Sequence, residues 1–122
     1  MIKKEIRKKV HDKYNGGCAY CGQYVLYKDM QVDHMTPKSQ VNENNYKDIH
    51  SFDNLMPSCR SCNHYKRSYG LEAFRKAMKT LHERIEKIYI CRVAVNYGIV
   101  TIRPFDGRFY FEIPEHERQL PF

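Results

Sequence analysis

No stretch of the 122 residues is apolar for long enough to span a bilayer or to act as the hydrophobic part of a secretion signal. Acidic tails, low-complexity tracts and internal repeats are also missing. These absences exclude a helical membrane protein and a repeat array. Without a secretory segment the expected setting is a reducing cytoplasm, where paired cysteines favour metal over disulfide. The length suits a single domain over residues 1–122, with one modest core and not two.

Positive charge is what the chain has in excess, with a formal net charge of +7. Basic excess alone says little about partners, because many soluble proteins are basic. Its placement says more. Residues 1–17 hold Lys3, Lys4, Arg7, Lys8, Lys9 and Lys13 against Glu5 and Asp12, a net +4 that is more than half of the total. Each of these cations set against a phosphate would release counterions, so this end is expected to supply a salt-sensitive grip on nucleic acid. The plainer alternative is a solvated helix face. Ile2, Ile6 and Val10 recur every four residues and predict an amphipathic helix over 1–16, ended by Gly16-Gly17.

Cysteine comes in pairs. Cys18-x-x-Cys21 and Cys59-x-x-Cys62 are separated by 37 residues, and that insert contains Asp33-His34. Asn63 directly follows the last cysteine. Each spacing lets two sulfurs reach one ion, so the four thiolates read as a tetrahedral zinc site. Zinc closed by four thiolates is structural and leaves no open position. Chemistry must then lie beside it, where a carboxyl, an imidazole and an amide stand. Cys91, left over in an apolar helical stretch, reads as a buried, inert thiol.

Tyr24 to Leu26 and Met30 to His34 predict two short strands joined around Lys28-Asp29. Neighbours on a strand point to opposite faces, so Asp33 and His34 would point apart unless the strand ends or bulges there; the pair is therefore expected at a strand end, where the acid can reach a metal and the imidazole can address a substrate. Residues 37–53 are polar and without period, a long loop expected to overhang the site. A short helix should run from about Cys62 to Ser68. Leu71, Phe74, Met78, Leu81, Ile85 and Ile88 then follow a helical spacing, as one long helix or two shorter ones. That stripe is expected to pack on the preceding unit; the sharper alternative is a homodimer seam. Asp106-Gly107 between Ile99–Arg103 and Arg108–Ile113 predicts a terminal β-hairpin. His11, His82 and His116 read as surface residues.

In order and spacing, Cys18-x-x-Cys21, Val32-Asp33-His34, Asp53-Asn54-Leu55 and Cys59-x-x-Cys62-Asn63-x-x-Lys66 resemble the HNH endonuclease family. The likeness covers roughly residues 14–68. Position 63 is Asn where the family usually has His, so the chain is similar to its HNN variants, which include phage junction-resolving enzymes with the same double knuckle. The resemblance implies an α+β fold: a ββα-metal, treble-clef-like core with structural zinc over 17–69. A basic helix (1–16) would precede it, and helices with a terminal β-hairpin (70–122) would follow.

The same resemblance implies a metal-dependent endonuclease that hydrolyses DNA to a 5′-phosphate and a 3′-hydroxyl. Asp33 and Asn63 would hold a catalytic Mg²⁺ or Mn²⁺ through oxygen atoms, as a hard ion requires. His34 would be the general base, since a neutral imidazole accepts a proton near neutral pH. Asn54 would orient His34 or the loop. Lys66, Arg60 and Arg67 would hold phosphates, with Lys3, Lys4, Lys8 and Lys9 extending the nucleic-acid surface. Asn63 has helix capping as its alternative role. For the whole chain the alternatives are a non-catalytic, zinc-stabilised DNA-binding module and a structure-selective resolvase.

Overall fold

The structure, a computed structural model, describes residues 2–37 and 49–120. It divides into two compact units, Met1–Leu71 with Phe109–Phe122, and Glu72–Arg108. The expected overhanging loop falls largely on residues outside the described ones. No helix among the described residues is long and apolar enough to cross a membrane.

In the first unit, α1 (Lys4–Asp12) buries Val10 completely and leaves Lys3, Lys4, Lys8 and Lys9 in solvent. Arg7 faces inward instead. Its guanidinium donates to the carbonyls of Tyr27 (2.7 Å) and Met30 (2.8 Å) and lies over the Tyr27 ring. His11 is buried, contrary to the surface position expected for it, because its Nε2 meets the Val25 carbonyl at 2.6 Å between two tyrosine rings.

β1 (Gln31–His34) pairs antiparallel with β2 (Leu55–Ser58), His34 opposite Leu55 and Asp33 opposite Met56. This corrects the expected hairpin. Tyr24 to Leu26 forms no strand, only a single bridge from Tyr24 to Gly17, and Tyr27–Asp29 is a 3-10 turn. The partner of β1 lies beyond the long loop, and α2 (Arg60–Lys66) follows β2 at once. β1, β2 and α2 therefore compose the mixed α+β, ββα unit, with α1 against β2 and α2 against β1.

The C-terminal segment closes the same unit. Phe109–Ile113 makes no strand but lays Tyr110 N–H on the Tyr20 carbonyl (3.1 Å) and Phe111 N–H on that of Ala19 (2.8 Å). Tyr20 meets the Phe109 and Phe111 rings edge-on. The expected β-hairpin is absent because these backbone donors go to the knuckle loop; the Asp106 carboxylate caps Arg108 N–H in a local turn. Gly22 sits beneath Tyr110 at φ +81°, and a Cβ there would stand 2.6 Å from the ring. Gly22→Ala is expected to cost about 2–3 kcal/mol, from strain at positive φ and overpacking together. A denaturant midpoint on the zinc-loaded protein checks it.

In the second unit the periodic stripe is cut into α3 (Leu71–Lys79), α4 (Leu81–Glu86) and α5 (Tyr89–Asn96). The first break has a local cause. The Thr80 hydroxyl donates to the Ala77 carbonyl (3.2 Å) and Arg84 reaches the same oxygen (2.7 Å), taking acceptors that a continuous helix would use. Phe74 is buried, whereas Ile88, Tyr89, Ile90 and Val95 are exposed and Cys91 is half-buried, so its expected burial is not met.

Candidate metal centre and active site

The four knuckle sulfurs come together because both pairs sit at turns that the fold closes on each other. Cys18 lies in a tight loop where its N–H donates to the Gln23 carbonyl (2.8 Å) and Gly22 N–H returns to Cys18 (3.0 Å). Ala19 N–H reaches the Pro57 carbonyl of β2 (2.8 Å), which brings this loop beside the second pair. Cys59 is the N-cap of α2, its sulfur accepting from Cys62 N–H at 3.4 Å. All four sulfurs lie within 4.8 Å of one another, and Cys21 and Cys59 stand at 3.8 Å. Around an ion at about 2.3 Å from each sulfur, a regular tetrahedron puts the sulfurs roughly 3.8 Å apart. The set fits zinc. Hydrogen bonds among the thiols divide their protons unevenly: those from Cys21 and Cys62 pull Cys18 well below the usual thiol range. The Cys18 contact pushes Cys62 far above it, and Cys21 up to about 12. A dication at the N-terminus of α2 would replace that sharing with four thiolates.

Residues 18–68 match the family described as HNH endonuclease. This segment is similar to an HNH module. Neither the curated proteins nor the solved structures contain a match. The match points to a nuclease or nucleic-acid-binding activity, with DNA as the polymer on which HNH nucleases act.

Within the HNH segment the adjacent Asp33 and His34 do point apart. Asp33 is buried and faces α2. Its Oδ2 accepts from the Tyr20 hydroxyl at 2.5 Å and from Lys66 Nζ at 3.1 Å, and Lys66 also reaches Oδ1 at 3.3 Å. Burial raises the Asp33 carboxyl above the ordinary carboxylate range, opposed by the Tyr20 hydrogen bond and by Lys66. Burial, reinforced by the Asp33 charge, also pushes the Tyr20 phenol far up, so Tyr20 stays a donor. A carboxylate offers about four lone-pair positions, and these contacts leave about one on Oδ1. Together with the Asn63 amide oxygen that position gives hard-oxygen donors of the kind Mg²⁺ or Mn²⁺ accepts. Asn63 is half-buried in the first turns of α2 and is not its cap, since Cys59 holds that place.

Lys66 corrects the phosphate-holding role expected of it. Its side chain is fully buried and its ammonium binds Asp33 and the His34 carbonyl (3.1 Å), so its charge is turned inward. Arg60 and Arg67 remain exposed at the two ends of α2, as do His64, Tyr65 and Tyr69. Arg67 caps the helix at φ +53°, a strained position for a residue with a Cβ.

On the opposite side of β1 the His34 ring meets His50. Their Nε2 and Nδ1 atoms lie 3.1 Å apart, with the rings edge to face. Asn54 is fully buried and clamps the two chain segments that carry them. Its Oδ1 accepts from Thr36 N–H (2.8 Å), and its Nδ2 donates to the carbonyls of Thr36 (3.1 Å) and Ile49 (2.9 Å). A hollow of about 320 Å³ beside the pair is lined by Ile2, Lys3, Ile6, His50 and Leu55. The basic helix thus reaches the edge of the histidine pair. Nothing in the sequence singles out His50 except its place four residues before Asn54.

Proposed function

We propose that the chain is a metal-dependent DNA endonuclease, with His34 as general base and zinc held by Cys18, Cys21, Cys59 and Cys62. The observation that carries this reading is the half-exposed His34 next in the chain to the buried Asp33, at the end of β1 in a ββα unit whose segment matches the HNH family. Mg²⁺ or Mn²⁺ held by Asp33 and Asn63 would supply Lewis-acid stabilisation of the phosphate and of the leaving 3′ oxygen. His34 takes a proton from the attacking water as the new P–O bond forms and the bond to the 3′ oxygen breaks. Tyr20 and Lys66 fix the Asp33 carboxylate, and Lys66 also ties down the His34 carbonyl. Asn54 ties the segment that follows His34 to the one that precedes His50. Arg60 and Arg67 meet phosphates, and Lys3, Lys4, Lys8 and Lys9 extend the contact along α1.

A second reading, a DNA-binding module without chemistry, is favoured by one observation: Lys66 already balances the charge of Asp33. Supercoiled plasmid and a four-way junction, incubated with the protein and Mg²⁺ or Mn²⁺, separate the two. Nicks that DNA ligase reseals and that EDTA prevents are the expected result. Binding to both DNAs without any cut in either metal would favour the module.

Replacing Lys3, Lys4, Lys8 and Lys9 by glutamine is expected to weaken DNA binding and flatten its salt dependence. The slope of log K against log salt should fall by about 0.9 for each phosphate that is no longer neutralised. An unchanged slope would put the DNA on another face.

A further inference from the structure

We propose that the hollow between the segment after the first knuckle and the start of α2 holds an unpaired nucleobase, stacked on Tyr24, with its phosphate on Arg60. This rests on the reading of the chain as a DNA endonuclease and says which feature of the DNA it selects.

The hollow measures about 520 Å³, and Tyr24, Leu26, Asp29, Gln31 and Arg60 are among the residues that line it. The lining is mixed. Tyr24 and Leu26 give apolar surface, Asp29 and Gln31 give polar partners for the edge of a base, and Arg60 gives a fork for a phosphate. Tyr24 is 53% exposed, enough for a flat partner to lie on its ring, yet the ring is held in place. Its backbone is bridged to Gly17, and the ring meets His11 edge-on at 6.4 Å. A Cβ at Gly16 would stand 2.8 Å from the ring, so glycine is what lets it pack there. A fixed aromatic ring loses little freedom when a base stacks on it. A base within a duplex has neighbours on both faces, so this ring suits one that is unstacked.

The place of the hollow ties it to the cut. Gln31 begins β1 and Arg60 begins α2. The two elements run alongside each other, since Lys66 at the end of α2 reaches the carbonyl of His34 at the end of β1. From Gln31 to Asp33 is about 6–7 Å along the strand, and from Arg60 to Asn63 about 4–5 Å along the helix. A stacked DNA strand advances about 3.4 Å per nucleotide. The hollow therefore takes a nucleotide one or two steps from a phosphate bound at Asp33 and Asn63. Stacking there draws a base out of the duplex next to the cut, so the selected DNA carries a bulge, a branch or a single-stranded flank.

The test uses the full, zinc-loaded chain without added Mg²⁺ or Mn²⁺, so that binding is read and not cleavage. The probe is a DNA duplex with one bulged 2-aminopurine, compared with the same duplex fully paired. The native chain should quench the bulged base and bind the bulged duplex about 5–100-fold more tightly than the paired one. Tyr24→Ala should lose that preference and bind paired DNA as the native chain does, while Tyr24→Phe should keep it. An unquenched bulge, or equal affinity of the native chain for the two DNAs, would overturn the inference. So would a Tyr24→Ala protein, its zinc and melt intact, that weakens on both DNAs alike. Each of these results leaves the nuclease reading standing if the native chain still cuts plasmid in Mg²⁺. Failure to bind either DNA would overturn both.

Discussion

Stripping zinc, with a chelator or by Cys59→Ser, is expected to unfold the unit that carries the site. The described core of that unit is thin: Val10, Ala19, Tyr20, Val25, Met30, Leu55, Met56, Pro57, Phe109 and Tyr110 are its buried apolar side chains besides Cys18. A core of this size supports little stability without a staple. Binding of zinc to four thiolates contributes on the order of 10–16 kcal/mol in small domains, as much as the whole stability of a typical protein. Cys59 has a double part, since its sulfur also caps α2, the helix that presents Asn63 and Lys66. Loss of one thiolate therefore removes a ligand and frees the start of that helix. Circular dichroism and zinc content measured together should fall in step. A native melt in zinc-free Cys59→Ser would contradict the staple.

The second large effect is expected at Lys66. Its fully buried ammonium is the counter-charge of Asp33, itself only 6% exposed. Removing one partner of a buried pair leaves the other charged and desolvated, a loss of about 3–5 kcal/mol. Lys66→Met should fall in that range. Adding Asp33→Asn should restore much of it, because the asparagine oxygen still accepts from Tyr20 and no lone charge remains. The double-mutant cycle reads the coupling directly. A Lys66→Met protein as stable as the native chain would show that the pair contributes nothing.

How much of this was legible in the sequence depends on whether the signal was local. The two knuckles are spacing signals, and their sulfurs do converge. The strand-end position expected for Asp33-His34 is met, since β1 ends at His34. The partner of β1 was hidden, because Leu55–Ser58 is buried on both faces and contains Pro57, so it shows no alternation. Asp106-Gly107 is a strong hairpin signal that lost to hydrogen bonds with Ala19 and Tyr20, far away in the chain. Lys66 reads as a surface charge because nothing near it in the sequence announces Asp33, thirty-three residues earlier. His50 lies in a stretch without period, and only Asn54 ties it to His34.

The central claim is that His34 does chemistry on DNA. The most direct measurement is the cleavage rate of saturating plasmid in Mg²⁺ by zinc-loaded native protein and His34→Ala. The variant should bind DNA as the native chain does and cut it about 10²–10⁴-fold more slowly, the usual contribution of a general base. Equal rates in the two proteins would contradict the account.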